Sequence, residues 1–217
     1  MDFTLIVEYF PRLLEAALVT IQVSLAALAL ATIMGFIAAL TRTSHRTWLY
    51  LPAVAYTEAL RSVPTLVLLF LLYYALPALL RLNIPSFPAA VLALGLAGSA
   101  YMAEIIRGGI EAIGHGQWEA AHSLGLRYPA ILRFVIMPQA LRLSIPPAIS
   151  LYVALIKDSS LILLVGVVEL TTQGMQIRAL THGRSSFAVF ITLGIMYFVI
   201  CTAVALAGNR LERRLLI

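Results

Sequence analysis

Long uncharged stretches dominate this chain and restrict the folds open to it. A helix needs about 20 apolar residues to cross about 30 Å of hydrocarbon, because each residue adds about 1.5 Å. Four uncharged stretches reach that length alone, and a fifth, residues 143–156, needs its neighbours. The stretches are residues 16–41, 62–80, 82–103, 143–156 and 185–209. They predict an all-α, polytopic membrane protein with five transmembrane helices.

The composition agrees with a membrane protein and disfavours other classes. Charged residues make up 12% of the chain and the mean hydropathy is +0.96, whereas soluble domains carry about 25% charged residues. The net charge of +5 comes from arginines near the ends of the spans, so topology explains it better than nucleic-acid binding. Cys201 is the single cysteine, which rules out an intrachain disulfide. The segment before residue 16 lacks the basic region of a signal peptide, so we expect the first span to be retained.

The chain lacks the sequence motifs for binding ATP or a metal on its own. A P-loop requires Gly-Lys followed by Ser or Thr, but the only lysine, Lys157, stands between Ile156 and Asp158. The histidines are scattered and form no metal-ligand spacing with Cys201. We therefore expect no catalytic residue, cofactor or metal in this chain, and any ATP-driven work must use a separate subunit.

The arginines are distributed unevenly between the two ends of the spans. The larger set is Arg42, Arg46, Arg107, Arg127, Arg133, Arg142, Arg210, Arg213 and Arg214, and the smaller set is Arg12, Arg81, Arg178 and Arg184. Positively charged loops favour the cytoplasmic side. The larger set therefore predicts a cytoplasmic C-terminus and, with five spans, an N-terminus outside, although Arg178 and Arg184 favour the reverse.

A polar segment at residues 117–138 interrupts the apolar sequence. We predict a short helix at residues 117–124, ended by a left-handed Gly125, with Pro129 opening the next helix. An ordinary amphipathic interfacial helix is the alternative, but such helices are rich in lysine and arginine and this one is not. The segment is therefore predicted to be a cytoplasmic binding surface.

Three pairs of charged residues lie in or near the spans. Glu58 with Arg61 and Glu104 with Arg107 are spaced i,i+3 and can neutralise each other, although Arg107 can also extend toward the membrane surface and leave Glu104. Lys157 and Asp158 are adjacent and point in different directions. Because charges in a bilayer usually face a partner or a cavity, we expect one of these two to meet a partner or a ligand elsewhere.

The region from 129 to 172 is predicted to be irregular. Pro138, Pro146 and Pro147 should interrupt the helix, and Lys-Asp-Ser-Ser at 157–160 should break it, with Asp158 or Ser159 capping the helix that follows. The break is expected to line a cavity, with a kinked, packed span as the alternative.

Small residues recur at four-residue spacing in two spans and allow helices to approach closely. We expect tight packing within one bundle, rather than a dedicated dimer motif, and no inverted repeat is visible. The residues are Ala27, Ala31, Gly35 and Ala39 in the first span and Gly95, Ser99 and Ala103 in the third.

The polar segment resembles the loop by which ABC-transporter permeases dock onto a separate ATPase. The matching residues are Glu119, Ala120, Ala121, Gly125, Val135, Met137 and Pro138, with Val135 and Met137 departing mildly from the family's usual residues. Further pieces resemble the polar amino-acid permeases of bacterial ABC importers: residues 20–25, 58–67, 99–110, 116–125, 137–142 and 157–161. Ser62 stands where the family usually has Gly, and Ser159 where it usually has Thr.

The resemblance implies a type I ABC importer permease fold in a single domain over residues 1–217, with a docking loop at about 114–130. It implies that Glu104 and Asp158 line the substrate path, where a carboxylate can pair with an amino acid's ammonium group. Glu119 is expected to meet a basic residue of the ATPase, with Ala120 and Ala121 allowing close approach and Gly125 ending the helix. Neighbouring polar residues could supply hydrogen bonds: Ser62, Thr65, Ser99, Tyr101 and Ser159.

The function implied is ATP-driven import of polar amino acids across the bacterial inner membrane, with a slight preference for basic cargo because acidic residues are in excess at the predicted site. The expected partners are an ATPase dimer that binds ATP and Mg²⁺, a second permease copy or paralogue, an extracytoplasmic binding protein and membrane lipid. Two alternatives stay open at this point. One is an ion-coupled secondary transporter using Glu104 and Asp158 as relay sites, and the other is a membrane scaffold or sensor.

Overall fold

The computed structural model describes residues 3–44, 46–183 and 186–216, and in these ranges the ordered elements are all helical. The α-helices are α1 (Phe3–Arg42), α2 (Thr47–Ser62), α3 (Thr65–Phe70), α4 (Leu76–Leu80), α5 (Ser86–Glu111), α6 (His115–Ser123), α7 (Tyr128–Ile131), α8 (Met137–Asp158), α9 (Leu170–Leu180) and α10 (Ser186–Leu216). Two π-helical turns, Leu71–Ala75 and Leu132–Ile136, and a 3₁₀ helix, Ser159–Val165, join neighbouring helices.

The described residues contain four continuous spans and one bent span. The continuous spans cover Val7–Arg42, Ser86–Glu111, Tyr128–Val165 and Ser186–Arg214. The remaining span is the helix pair Thr47–Ser62 and Thr65–Leu80, which bends by 103°. Pro64 explains the bend, because its ring forces Val63 into an extended conformation (φ −96°, ψ 128°) and ends α2. The prediction of five spans is confirmed, with the second one bent and beginning earlier than its uncharged stretch.

The helix α5 lies at the centre of the bundle, between α1 and α8. The small residues predicted to mediate packing are buried on both helices, including Ala27, Ala31 and Ser99 at 0% exposure. At Gly35 an added Cβ would lie 2.7 Å from Met102 Cβ, so only glycine permits this approach of α1 to α5. The small faces therefore pack within one chain, as predicted.

The helix α8 continues through Pro146 and Pro147, so the prediction that these prolines interrupt it is wrong. Membrane helices tolerate proline where neighbouring helices and hydroxyl groups compensate for the lost backbone bonds. Here Ser144 packs against α5, and its Oγ donates to the carbonyl of Ile105 at 3.3 Å. The irregular geometry lies at the two ends of α8 instead, in the π-helical turn before it and the 3₁₀ helix after it.

The helix cap expected at Asp158 or Ser159 is found further along, at Glu169. Neither predicted residue caps the 3₁₀ helix through its side chain, and the Ser159 hydroxyl instead donates to the Ile156 carbonyl at 2.8 Å. The buried Glu169 carboxylate accepts the N–H groups of Thr171 and Thr172 at 2.8 and 2.7 Å. The Tyr197 hydroxyl donates to the same carboxylate at 2.9 Å and fastens α9 to α10.

Adjacent glycines near the end of α5 give a direct test of the packing against α8. A Cβ at Gly109 would lie 2.5 Å from Ser144 Oγ and 2.7 Å from the Ala140 carbonyl oxygen, whereas nothing lies within 4 Å of one at Gly108. We expect Gly109→Ala to destabilise the fold by about 1–3 kcal/mol, because the helices must separate. The apparent melting temperature of the purified protein should fall for Gly109→Ala and not for the control Gly108→Ala. Equal melting temperatures would contradict the assigned helix contact.

Candidate functional site

The polar segment folds as predicted into a short helix, α6, with a well-defined end. Gly125 adopts the left-handed conformation at φ +75°. Its N–H donates to the His122 carbonyl at 2.8 Å, and the N–H of Leu126 donates to the Ala121 carbonyl at 3.3 Å. These two bonds form a Schellman motif, which satisfies carbonyls left free by the end of the helix. Pro129 lies in the first turn of α7, also as predicted.

The two faces of α6 differ in what they contact. Glu119 and Ala120 are exposed, and Leu124 keeps 80% of its surface open just beyond the helix. Ala121 is 3% exposed and packs against Ile110, Ile113 and neighbouring apolar residues of its own chain. The outward face is therefore free to meet a partner, whereas Ala121 fixes α6 to the bundle.

Two contacts fasten α6 to the ends of the spans. The Trp118 ring stacks on Tyr128, with centroids 5.8 Å apart and planes at 22°. The Tyr128 hydroxyl donates to the carbonyl of Thr43, directly after α1, at 3.2 Å. On the other side, Gln139 Nε2 of α8 donates to Gln117 Oε1 at 3.4 Å. A force on α6 can therefore reach both α1 and α8.

Glu104 lies in a cluster of charged side chains from α1, α2 and α5, which we call the arginine–glutamate cluster. Glu104 pairs with Arg42 and, at 2.8 Å, with Arg107, while Arg61 stands 3.8 Å away. The cluster comprises Arg42, Glu58, Arg61, Glu104, Arg107 and Glu111. Its three arginines and three glutamates balance in charge.

The structure shows whether each glutamate pairs with the arginine three residues further along its helix. Both predicted i,i+3 pairs form, with Glu58 3.6 Å from Arg61 and Glu104 2.8 Å from Arg107. The expectation that Arg107 could extend away and leave Glu104 is wrong for this conformation, because Arg107 bridges Glu104 and Glu111. Arg42 was missed as a partner because it lies on another helix, 62 residues from Glu104 in sequence.

Asp158 lies apart from this cluster. Its carboxylate is half-buried at the end of α8 and has no hydrogen bond or ion pair within the described part of the chain. The neighbouring Lys157 is exposed and likewise unpaired within those residues, beside a cavity of about 380 Å³ against α10. Both charges thus remain available to a ligand or to another chain.

Glu104 and Asp158 lie at different depths in the bundle. The helices α5 and α8 run antiparallel, because Gly98 packs against Leu155 while Ile105 contacts Ser144 nearer the α6 end. This register places Asp158 about 15 Å further along the bundle axis than Glu104, at about 1.5 Å per residue. Within one chain, the two carboxylates do not converge on one small chemical group.

The other predicted site residues divide into accessible and enclosed groups. Ser62 is exposed and Thr65 half-buried at the bend between α2 and α3. Tyr101 keeps 46% of its surface open, with the Arg61 guanidinium 5.9 Å from its ring centre. Ser99 and Ser159 are completely buried; Ser99 Oγ bonds the Tyr56 hydroxyl at 2.5 Å. The accessible group therefore borders the arginine–glutamate cluster.

Glu169 has a structural role that the sequence did not lead us to predict. It is completely buried and accepts four hydrogen bonds, including one from the Thr172 hydroxyl at 3.0 Å. An acidic residue within an apolar run, followed by Thr171 and Thr172, was the available signal. Its bonds make it a structural group that orients α9.

Comparison with known proteins identifies the family of this chain. Residues 31–217 match the family model described as binding-protein-dependent transport system inner membrane component. A probable glutamine ABC transporter permease protein, GlnP of Bacillus subtilis, is 35% identical and covers 95% of each chain. The arginine transport system permease protein ArtQ of the same organism is 31% identical, covering 99% of this chain and 97% of its own.

A solved structure agrees with the sequence relatives. A chain from a crystal structure of an amino acid ABC transporter with histidines superposes with a TM-score of 0.92, at 34% identity and with 99% of both chains covered. The type I ABC importer permease fold expected from the sequence is therefore confirmed. The family model and these relatives show that the chain belongs to the family of binding-protein-dependent transport system inner membrane components, the permease subunits of ABC importers.

Proposed function

We propose that this permease moves polar amino acids into the cytoplasm, driven by an ATPase pair that docks on α6. The observation that supports this most directly is the docking helix itself, which is fastened on one face and open on the other. The proposal treats residues 1–217 as a single permease domain whose docking loop spans about 114–130. ATP and Mg²⁺ are bound by the ATPase and not by this chain.

Membership of this family disfavours the two alternative functions, an ion-coupled secondary transporter and a membrane scaffold or sensor. Permeases of this family are inner-membrane components that are not themselves catalytic, and they work with a separate ATPase and a substrate-binding protein. The ion-coupled secondary transporter finds no support in the comparisons. The membrane scaffold or sensor is not needed either, since the relatives are transport proteins along nearly their whole length.

The outward face of α6 is the proposed contact with the ATPase. Glu119 supplies an acidic group for a basic residue of the ATPase, and Ala120 permits close approach. Leu124, exposed just past the helix, adds an apolar contact. Ala121 supports this surface from inside, and the left-handed Gly125 sets its end.

Movement of α6 has a short route to the arginine–glutamate cluster. Trp118 stacks on Tyr128, whose hydroxyl bonds the backbone of Thr43, and the next residue back along the chain is Arg42, the partner of Glu104. We propose that closure of the ATPase pair shifts the end of α1 and changes the pairing of Glu104. This couples ATP binding to the substrate path.

On the proposed path, the substrate meets Glu104 and Asp158 one after the other, because the two carboxylates are about 15 Å apart along the axis. Asp158 has no partner among the described residues and would pair with the α-ammonium group of an amino acid or with a cationic side chain. The negative charge of Glu104 is balanced by neighbouring arginines, so Glu104 adds no net negative charge to the path. The preference for basic cargo therefore depends on Asp158, and the relatives' names include both glutamine and arginine.

Accessible neighbours complete the proposed path. Ser62, Thr65 and Tyr101 would offer hydrogen bonds near Glu104. Ser99 and Ser159 are enclosed here, so a role for them requires another conformation of the helices.

Assembly and orientation follow from the charges and the family. We propose that two permeases, either two copies or this chain with a paralogue, enclose the path and receive cargo from an extracytoplasmic binding protein. The arginines near α6 and at the end of α10 support a cytoplasmic location for those ends, with the N-terminus outside. Membrane lipid surrounds the outer faces of the spans.

Reversing the charge of Glu119 tests the docking surface. We expect Glu119→Lys to lower ATPase affinity at least tenfold, because close charge pairs across interfaces contribute about 1.5–7 kcal/mol. Co-purification of the ATPase with the permease measures this, with membrane insertion checked separately. Glu8→Lys is the control, since it makes the same change at an exposed glutamate far from α6. Normal ATPase recovery with Glu119→Lys would refute the assigned contact.

Neutralising Asp158 tests the path at its unpaired carboxylate. We expect Asp158→Asn to lower ATP-driven uptake in proteoliposomes about tenfold or more, because hydrogen bonds to charged groups contribute about 1.5–3 kcal/mol. Stability should change little, since no partner among the described residues is lost. Competition by basic amino acids should weaken more than competition by glutamine. Unchanged uptake and competition would remove Asp158 from the path.

Neutralising Glu104 should have a different signature. Glu104→Gln leaves Arg42 and Arg107 without their shared carboxylate, so both uptake and melting temperature should fall, because the Arg42 side chain is only 11% exposed and loses its nearest carboxylate. Glu111→Gln is the control, because Glu111 is 64% exposed and contacts only Arg107 among the described residues. Full uptake and an unchanged melting temperature for Glu104→Gln would contradict the role given to the cluster.

A further inference from the structure

An apolar groove lies on the side of the bundle away from Glu104. It has a volume of about 520 Å³, within the range of about 300–1,000 Å³ that ligand sites occupy. Met102 and Ile106 form its floor, on the face of α5 opposite Glu104, since residues two apart on a helix point in nearly opposite directions. Its walls come from α1, α8 and α10 and include Phe36, Ile145, Ala148, Tyr152, Ala207 and Leu211. The groove is therefore separate from the proposed substrate path.

Four arginines lie close in sequence to residues that line one end of the groove. Gly208 packs against Ile149, so the end of α10 lies beside the start of α8, where Leu141 and Leu211 flank the opening. Arg142 follows Leu141 directly. On the α10 side, the arginines are Arg210, Arg213 and Arg214.

Within the part of the chain that the structure describes, these four arginines have no partner. All are exposed, and among the described residues none makes an ion pair or a side-chain hydrogen bond. Glu212 stands among them, but its carboxylate is not within 4 Å of any of the arginines. The opening of an apolar groove thus carries a net positive charge that nothing in the described chain neutralises.

We propose that this groove is a binding site for an anionic phospholipid. An acyl chain would fill the apolar walls, and the phosphate headgroup would contact Arg142 and the arginines at the end of α10. Basic pockets between membrane helices bind anionic headgroups in this way, and clusters of four or more basic residues beside a span favour anionic lipids. The positive charge of the arginines selects an anionic headgroup, and the groove determines where the acyl chain lies.

The site also has a structural consequence. A lipid seated there would bridge α8, which carries Asp158, and α10, which carries Tyr197 and holds α9 through Glu169. Anionic lipid should therefore increase the thermal stability of the transporter, and the effect should depend on the same arginines.

Lipid retention by the purified permease–ATPase complex tests the site. Native mass spectrometry would compare phosphatidylglycerol with phosphatidylcholine of the same acyl chains. We expect the complex to retain phosphatidylglycerol preferentially, and Arg142→Gln or Arg214→Gln, which follows the groove-lining Leu211 by three residues, to weaken its retention about fivefold each. Ala207→Phe, which fills the groove from an exposed position on α10, should reduce retention of both lipids. Arg46 is an exposed arginine away from the groove, and Arg46→Gln should change the retention of neither lipid.

Three results would overturn the proposal. Equal retention of phosphatidylglycerol by the unchanged complex and both arginine variants would show that the arginines bind no headgroup. Loss of ATPase from the arginine variants, with lipid retained, would assign the cluster to the ATPase. Loss of the second permease from Ala207→Phe, with lipid retained, would make the groove an interface between protein chains.

Discussion

Close contact between helices at small residues is the constraint on which the rest of this structure depends. In lipid, apolar surfaces gain little by meeting each other, so helices associate where small residues allow backbones to approach. Gly35 of α1 lies against Met102, and Gly109 of α5 lies against Ser144 and Ala140 of α8. These contacts enclose α5 between two neighbours and fix its rotation. That rotation directs Glu104 toward α1 and α2 and leaves Met102 and Ile106 facing the groove.

The fixed rotation of α5 brings its charges next to the docking helix. Arg42 pairs with Glu104, and Thr43, the next residue, accepts the hydrogen bond from Tyr128. The helix α6, the proposed contact with the ATPase, is thus connected to the charged cluster through one pair of stacked rings and one hydrogen bond. A buried ion pair is weak evidence for stability, because desolvation offsets the attraction. In the proposed mechanism its role is to hold α1, α2 and α5 in one arrangement that a moving α6 can disturb.

The sequence predicted features that follow from local chemistry. Gly125 and Pro129 mark the ends of helices through their own backbone preferences, and the four-residue spacing of Ala27, Ala31 and Gly35 identifies a packed face. The predictions that failed depend on tertiary contacts. Pro146 and Pro147 remain helical because α8 is held against α5. The i,i+3 spacing predicted the contact of Glu104 with Arg107, but Arg42 and Arg61 come from two other helices, and no sequence spacing reveals that they meet Glu104.

The different depths of Glu104 and Asp158 change the mechanism expected from the sequence. Two carboxylates at one level would form a single acidic pocket, with a clear preference for basic cargo. Because they lie about 15 Å apart along the axis, the proposed path would instead have two successive positions, of which only Asp158 is uncompensated by the described residues. Cargo would first exchange water for Asp158 and then reach a cluster that is already neutral. In the proposed mechanism, selectivity would depend mainly on the position near Asp158, and coupling to ATP on the cluster at Glu104, so the two tasks would fall on different residues.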